Sequence, residues 1–271
     1  MRGLIPGHMS QTMKIASWNV NSIKARLDHV KAWLDSQKPD ILLLQELKGL
    51  DFPYDVFDAM GYRCAAVTQK AYNGVAILSR HEIGLIHEKL PGMDHDEQAR
   101  YIEADINNVR VIGIYAPNGN PVDSEKFPYK LTWLEHLKNR LAALRADRVP
   151  VVIGGDFNII PDDHDCHDPQ VWAGDALFRP ESRRLYRAML NLGYSDAFRV
   201  RTQNGGHYTF WDYQGGAWPA NKGIRIDHFL LSPCIADRLQ SCTIDKEPRG
   251  LEKASDHTPI IVTIAAPAKE G

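Results

Sequence analysis

The run Val151-Val152-Ile153-Gly154-Gly155-Asp156-Phe157-Asn158 constrains the fold more than any other stretch of this chain. Three β-branched residues lead into two glycines, and a carboxylate and a carboxamide follow one residue apart. Such a run reads as a buried strand that stops at the glycines and delivers polar groups to a rim. With strand periodicity, Asp156 and Asn158 point one way and Phe157 turns into the core. A plain turn is the competing reading, because Gly, Asp and Asn are ordinary turn residues. The other strand ends of the chain decide between the two.

Lys14–Val20 reads as a strand ending in Trp18-Asn19-Val20-Asn21. Ser22 is placed to cap a helix in which Ile23, Leu27, Val30 and Leu34 recur at helical spacing, and Lys38-Pro39 stops it. Ile41–Leu44 is apolar throughout, the mark of a strand buried on both faces, and it delivers Gln45-Glu46. Strands are expected at Arg63–Val67 and Gly74–Ser79. Arg100–Ile106 and Val109–Tyr115 follow as a pair joined by an Asn107-Asn108 turn. The last of these ends in Tyr115-Ala116-Pro117-Asn118. Leu131–Leu144 has one apolar side and reads as a helix. Residues 159–181 look like loop, Arg183–Leu192 like helix and Tyr208–Tyr213 like a short strand or edge segment. Strands at Phe229–Leu231, Cys242–Ile244 and Pro259–Ile264 complete the chain. Polar groups recur at strand ends, which favours the rim over the turn.

With 271 residues, 44% of them hydrophobic and 24% charged, the chain can bury a large core. Without a repeat or a clear linker, one domain over 13–265 is the economical reading. Residues 1–12 read as a leader or expression-derived extension, and 266–271 as a tail. A net charge of -2 excludes a wholly basic nucleic-acid binder but allows a local basic face. The four cysteines are scattered, with no Cys-x-x-Cys pair, which fits a reducing cytoplasm better than a zinc site or a disulfide framework. No apolar stretch approaches the ~18 residues a membrane span needs.

The strand-end groups are Asn19, Glu46, Tyr115, Asn118, Asp156, Asn158, Asp227, Asp256 and His257. They are rich in oxygen and lack cysteine, a set suited to Mg²⁺ or Mn²⁺ rather than zinc. Carboxamides and a phenol are uncharged donors that can hold a phosphate, so the set suits metal-assisted attack of water on phosphorus. A Gly-x-Ser-x-Gly elbow and a Gly-x-x-x-x-Gly-Lys-[Ser/Thr] loop are both missing, which argues against acyl transfer and nucleotide-driven phosphoryl transfer.

Trp18-Asn19-Val20-Asn21, Leu44-Gln45-Glu46, Tyr115-Ala116-Pro117-Asn118, Gly155-Asp156-Phe157-Asn158, Arg225-Ile226-Asp227-His228 and Ser255-Asp256-His257-Thr258-Pro259 occur in that order. Together they resemble the exonuclease III family of DNA-repair nucleases, over nearly the whole chain from Met13 to Ile264. The resemblance implies an α/β fold, a four-layer α/β/β/α sandwich with two packed, mostly antiparallel sheets flanked by helices. It implies Mg²⁺-dependent hydrolysis of DNA phosphodiesters, combining 3′-to-5′ exonuclease, abasic-site endonuclease and 3′-end cleaning.

By that resemblance Glu46 binds metal, with Asn19 and Asp256 near the ion. Asp156 positions or deprotonates water, or else serves the leaving oxygen. Asn158, Tyr115 and Asn118 contact phosphate, and His257 meets the scissile phosphate with Asp227 as its paired carboxylate. Phe210, Ile224 and Ile226 match an apolar pocket for a flipped-out abasic sugar. Lys126 and Lys130, Arg183, Arg184 and Arg187, and Lys222 and Arg225 are candidates for a phosphate track.

Two departures stand out. Ile224 occupies a place where abasic-site enzymes often carry an aromatic residue, and Gly119-Asn120-Pro121 lacks an arginine that some relatives insert into the duplex. The balance of the two cleavage activities therefore stays open. The expected partner is double-stranded DNA with abasic sites or 3′ ends, bound by a monomer away from any membrane. The rivals are another phosphoesterase of the same superfamily, acting on lipid or inositol phosphates, and a non-catalytic DNA-binding protein on the same fold.

Overall fold

A computed structural model describes residues 12–265 of the chain. The expected leader and tail lie outside the described residues except for Thr12, which already pairs with Ala265. The described strands are β1 (Thr12–Asn19), β2 (Ile41–Gln45), β3 (Arg63–Val67), β4 (Val75–Ser79), β5 (Gly84–His87), β6 (Tyr101–Ile106), β7 (Val109–Tyr115), β8 (Val151–Asp156), β9 (Ser195–Asp196), β10 (Asp227–Leu231), β11 (Leu239–Ile244) and β12 (Ile260–Ala265). The helices are α1 (Ile23–Gln37), α2 (Tyr54–Ala59), α3 (Lys126–Ala146), α4 (Pro169–Trp172), α5 (Pro180–Asn191), α6 (Ala197–Arg201) and α7 (Pro233–Ala236), with short 3₁₀ turns at Asp163–Asp165 and Glu247–Gly250.

The strands form two six-stranded sheets, in the orders β11-β12-β1-β2-β4-β3 and β5-β6-β7-β8-β10-β9. Each sheet has one parallel pair at its centre, β1 with β2 and β7 with β8, and antiparallel pairs elsewhere. A parallel pair needs a crossover, and α1 and α3 supply the two. This is the mostly antiparallel, four-layer sandwich expected from the sequence.

Alternation along the strands builds the layers. Ile15, Ile41, Leu43 and Val152 face the space between the sheets. Ala16, Leu42 and Leu44 turn outward onto Val30, Trp33 and Leu34 of α1. Val151 and Ile153 turn outward onto Trp133, Leu134, Leu137 and Leu141 of α3 and onto α5. Ser22 caps α1 as expected, its hydroxyl accepting from Ala25 N.

Three readings of the sequence need correction. Strand β8 runs through Gly154 and Gly155 instead of stopping at them. A Cβ at Gly154 would lie 2.3 Å from Phe229, and one at Gly155 would lie 2.0 Å from the Ile114 carbonyl. The two glycines thus mark close approach inside the sandwich. Residues 159–181 hold a 3₁₀ turn, α4 and the start of α5. Tyr208–Tyr213 is no strand; Phe210 only bridges Ile224 and His257. Among the described residues no helix is long and apolar enough to cross a membrane.

Candidate active site

Both parallel pairs end at the same rim, and their antiparallel neighbours begin there. Asn19 ends β1 opposite Gln45, which places Glu46 one residue past β2. Asp156 ends β8, with Tyr115 across from it on β7 and Asp227 on β10. His257 stands before β12, which begins opposite Ser17. Side chains from both sheets therefore converge on one pocket of about 240 Å³.

Asn19 is wholly buried and ties the sheets together. Its Nδ2 donates to Glu46 Oε1 at 2.8 Å and to Asp156 Oδ2 at 3.0 Å, while its Oδ1 accepts from Asn21 N. Lys48 lies 2.7 Å from Glu46 Oε2. Burial opposes charge on Glu46, but the Lys48 ammonium and the Asn19 amide outweigh it and hold the carboxyl below its usual range.

His257 lies between two carboxylates, with Nδ1 at 2.8 Å from Asp227 Oδ2 and Nε2 at 3.7 Å from Asp156 Oδ2. Burial opposes the imidazolium; Asp227 and Asp156 overcome that and push the ring's pKa well up. Burial raises the Asp156 carboxyl, with repulsion from Asp227 and Glu46 adding to it and His257 opposing it. The other oxygen of Asp227, Oδ1, is also buried and has no hydrogen-bond partner among the described residues.

Several neighbours hold these groups in place. Trp18 Nε1 donates to His257 O, Ser255 Oγ accepts from His257 N, and Thr209 Oγ1 accepts from the main-chain N–H of Ile226 and Asp227. Asn158 leaves the strand with φ of +50°, its N–H bonded to Asp156 Oδ1. The extended geometry therefore ends at Asp156, and Asn158 turns to face Asn118, whose Nδ2 donates to Asn158 Oδ1 at 3.3 Å. Phe210 packs edge-on to His257, ring centroids 5.0 Å apart.

One ligand atom each from Glu46, Asp156 and His257 lies within 4.8 Å of the others. The oxygens of Glu46 and Asp156 are hard donors that fit a divalent cation, while His257, charged beside them, offers hydrogen-bond donors instead of a ligand atom. Asp256 lines the same pocket, but its Oδ1 accepts from Asn21 and it lies outside that close group.

The structure gathers Asn19, Glu46, Tyr115, Asn118, Asp156, Asn158, Phe210, Ile226, Asp227, Asp256 and His257 at this rim. It removes others. Arg225 is wholly buried away from the pocket, paired with Asp165 at 2.6 Å and Asp196 at 2.8 Å, and is no phosphate contact. Ile224 has no exposed surface and packs behind Phe210 with Cys166. Trp172 and Leu177 complete the pocket wall in its place.

Of the expected phosphate track, burial removes Lys130 and Arg225, whereas Lys126, Arg184, Arg187 and Lys222 stay exposed. Lys126 is exposed at the start of α3 and does not line the pocket. Lys130 is wholly buried, Arg183 pairs with Asp163, and Arg184 and Arg187 line a separate cleft. Lys48 could have been found from its place two residues past Glu46, with opposite charge. Trp172 and Leu177 lie in a segment without periodicity, and nothing local marks them.

The model of the Endonuclease/Exonuclease/phosphatase family matches residues 16–257. The chain is 34% identical over 262 residues to exodeoxyribonuclease III of Haemophilus influenzae, covering 92% of this chain and 98% of the relative. Among solved structures it is similar to the 3′ phosphatase NExo from Neisseria, bound to a product DNA hairpin. The TM-score there is 0.90 and the identity 40%, covering 92% of this chain and 98% of that one. An AP endonuclease from Archaeoglobus fulgidus gives a TM-score of 0.89 at 39% identity, covering 93% and 99%.

Proposed function

The chain belongs to the Endonuclease/Exonuclease/phosphatase family, and on that premise we propose that it hydrolyses phosphate esters of DNA as a repair nuclease of the exodeoxyribonuclease III type. Its reactions are 3′-to-5′ nucleotide removal, 3′-end cleaning and incision at abasic sites. The observation that carries this reading is the meeting of Glu46, Asp156 and His257 at a rim shared by both sheets.

Glu46, with Asp156 close by and Asn19 and Asp256 beside them, would hold Mg²⁺ or Mn²⁺. A bound divalent cation supplies Lewis acidity toward a phosphoryl oxygen. The chain's own groups do the rest. Asn118, Asn158 and Tyr115 orient the phosphate. Asp156, its carboxyl raised, takes a proton from the attacking water as that oxygen bonds to phosphorus; the bond to the ester oxygen breaks, and the leaving alkoxide takes a proton from solvent. His257, kept as imidazolium by Asp227, donates to the phosphoryl oxygens as charge builds on them. Phe210, Ile226, Trp172 and Leu177 form the apolar wall against the sugar. The enzyme acts as a monomer on double-stranded DNA in the cytoplasm.

The test uses duplexes carrying an abasic site, a 3′-phosphate or a recessed 3′ end, with Mg²⁺ and then with excess EDTA. Turnover that disappears on chelation and returns with Mg²⁺ is expected. Binding without turnover, or cleavage only of lipid or inositol phosphates, overturns the proposal.

A further inference from the structure

Lys130 lies in the second turn of α3 with its side chain wholly buried. Its stem passes beneath Gly119, where a Cβ would stand 2.6 Å from Lys130 Cδ and 3.2 Å from Ala176 Cβ. Gly119 has a φ of +90°, so glycine both turns the chain and leaves the channel that the lysine fills. The ammonium donates to Asn158 O at 2.5 Å and to Asn118 O at 3.0 Å. These are the two residues whose carboxamides face each other in the pocket. One buried cation thus ties the loop after β7 to the turn after β8.

Carbonyl oxygens are half of what such a cation needs. Among the described residues no carboxylate forms a salt bridge with Lys130. Asp175 and Asp156 act on it from farther off; burial outweighs them and draws its pKa down to about 7. A charge at this depth is costly unless an anion compensates it. The cavity that Asn118 and Asn158 line is where the reading above puts a phosphoryl group.

We propose that Lys130 is a positioning residue for that group: its ammonium sets the spacing of the Asn118 and Asn158 carboxamides and supplies the buried positive charge that phosphoryl oxygens compensate. This rests on the phosphoesterase reading. It carries a consequence for specificity. A 3′-phosphate monoester is close to a dianion at neutral pH, whereas a phosphodiester is a monoanion. Losing the charge should therefore cost monoester removal more than nucleotide removal.

The experiment compares the wild-type chain with Lys130→Met, which removes charge and donors, and Lys130→Gln, which keeps an amide donor. Each is measured with Mg²⁺ on a 3′-phosphate duplex and on a 3′-hydroxyl duplex, with thermal melts as a check of folding. Inorganic phosphate is titrated calorimetrically into each. Lys130→Met is expected to lose about 100-fold in kcat/KM on the 3′-phosphate and about 10-fold on nucleotide removal. Phosphate affinity should fall about 10-fold, since the buried charge favours the dianion across the two asparagines that it holds. Lys130→Gln should recover nucleotide removal while monoester removal stays low, and this comparison decides the matter if Lys130→Met does not fold.

Equal losses on both substrates with unchanged phosphate affinity make Lys130 a structural clip and overturn the proposal. So does full recovery of both activities in Lys130→Gln. A wild-type chain that turns over neither duplex ends the phosphoesterase reading instead; the phosphate titrations then decide Lys130 alone, and equal affinities overturn its role.

Discussion

His257 would be a poor imidazolium without Asp227, because burial alone favours the neutral ring. Its pKa is raised, so the charged form persists from below the ordinary value near 6.5 into alkaline solution. Replacing Asp227 with Asn keeps the shape and removes the charge. The alkaline limb of kcat/KM should then move to lower pH, with activity at pH 8 reduced by about 100-fold; an unmoved limb would discard the pairing. Asp156→Asn and His257→Ala should each lose about 1,000-fold in kcat while melting near the wild-type temperature, as turnover assays beside thermal melts can check. These residues were legible because each flanks a strand that reads clearly in sequence. Arg225 was not, because its partners Asp165 and Asp196 lie 60 and 29 positions away. Arg225 and Asp227 stand two residues apart, yet one is spent inside the protein and the other at the rim. Lys130 misled in a similar way: it stands one residue before the expected helix, and the carbonyls that hold it belong to Asn118 and Asn158, 12 and 28 positions away.

The two β-α-β crossovers explain why the site sits where it does. Each sheet's central parallel pair sends its carboxyl ends to the shared rim, and each antiparallel neighbour starts there. Long apolar strands and the two crossover helices were readable, since periodicity alone separates them. The short elements β5, β9, α6 and α7 were not, being four residues, two, five and four long. Elements of that size are selected by packing partners rather than by a pattern of their own. Gly155 tests how tightly the β7–β8 pair is drawn. Its φ is +147°, and a Cβ there would sit 2.0 Å from a backbone oxygen that cannot swing aside. Gly155→Ala should destabilise the fold by about 3 kcal/mol or more in chemical denaturation and cost activity through Asp156 next to it. A loss under about 1 kcal/mol would mean that the strands can part there freely.

Across the whole molecule, the segment after β8 is held to the second sheet by buried charge rather than by apolar area alone. Arg225 meets both oxygens of Asp165 and of Asp196, Arg199 also pairs with Asp165, and Tyr186 donates to Asp196. His228 completes the cluster as a neutral ring. Its Nδ1 accepts from Arg225 at 2.9 Å and its Nε2–H donates to Ile159 O at 2.9 Å. Burial first, and then the Arg225 charge, lower its pKa to about 4. An unfolded chain would bind that proton near pH 6.5, so the unfolded state holds more protons between the two values. The stabilising contribution is therefore complete above pH 6.5 and lost as pH falls toward 4. The loss approaches about 3 kcal/mol by pH 4.5. Asp156 works in the opposite sense over part of this window, because its raised carboxyl takes up a proton in the folded state. The wild type alone thus mixes two signs, and the difference from a His228→Gln variant isolates one. In urea titrations at pH 7.5, 5.5 and 4.5, the stability of wild type relative to that variant should fall steadily with acid. A difference that stays level across the three would show that His228 titrates alike in the folded and unfolded chain, and would discard the depressed pKa.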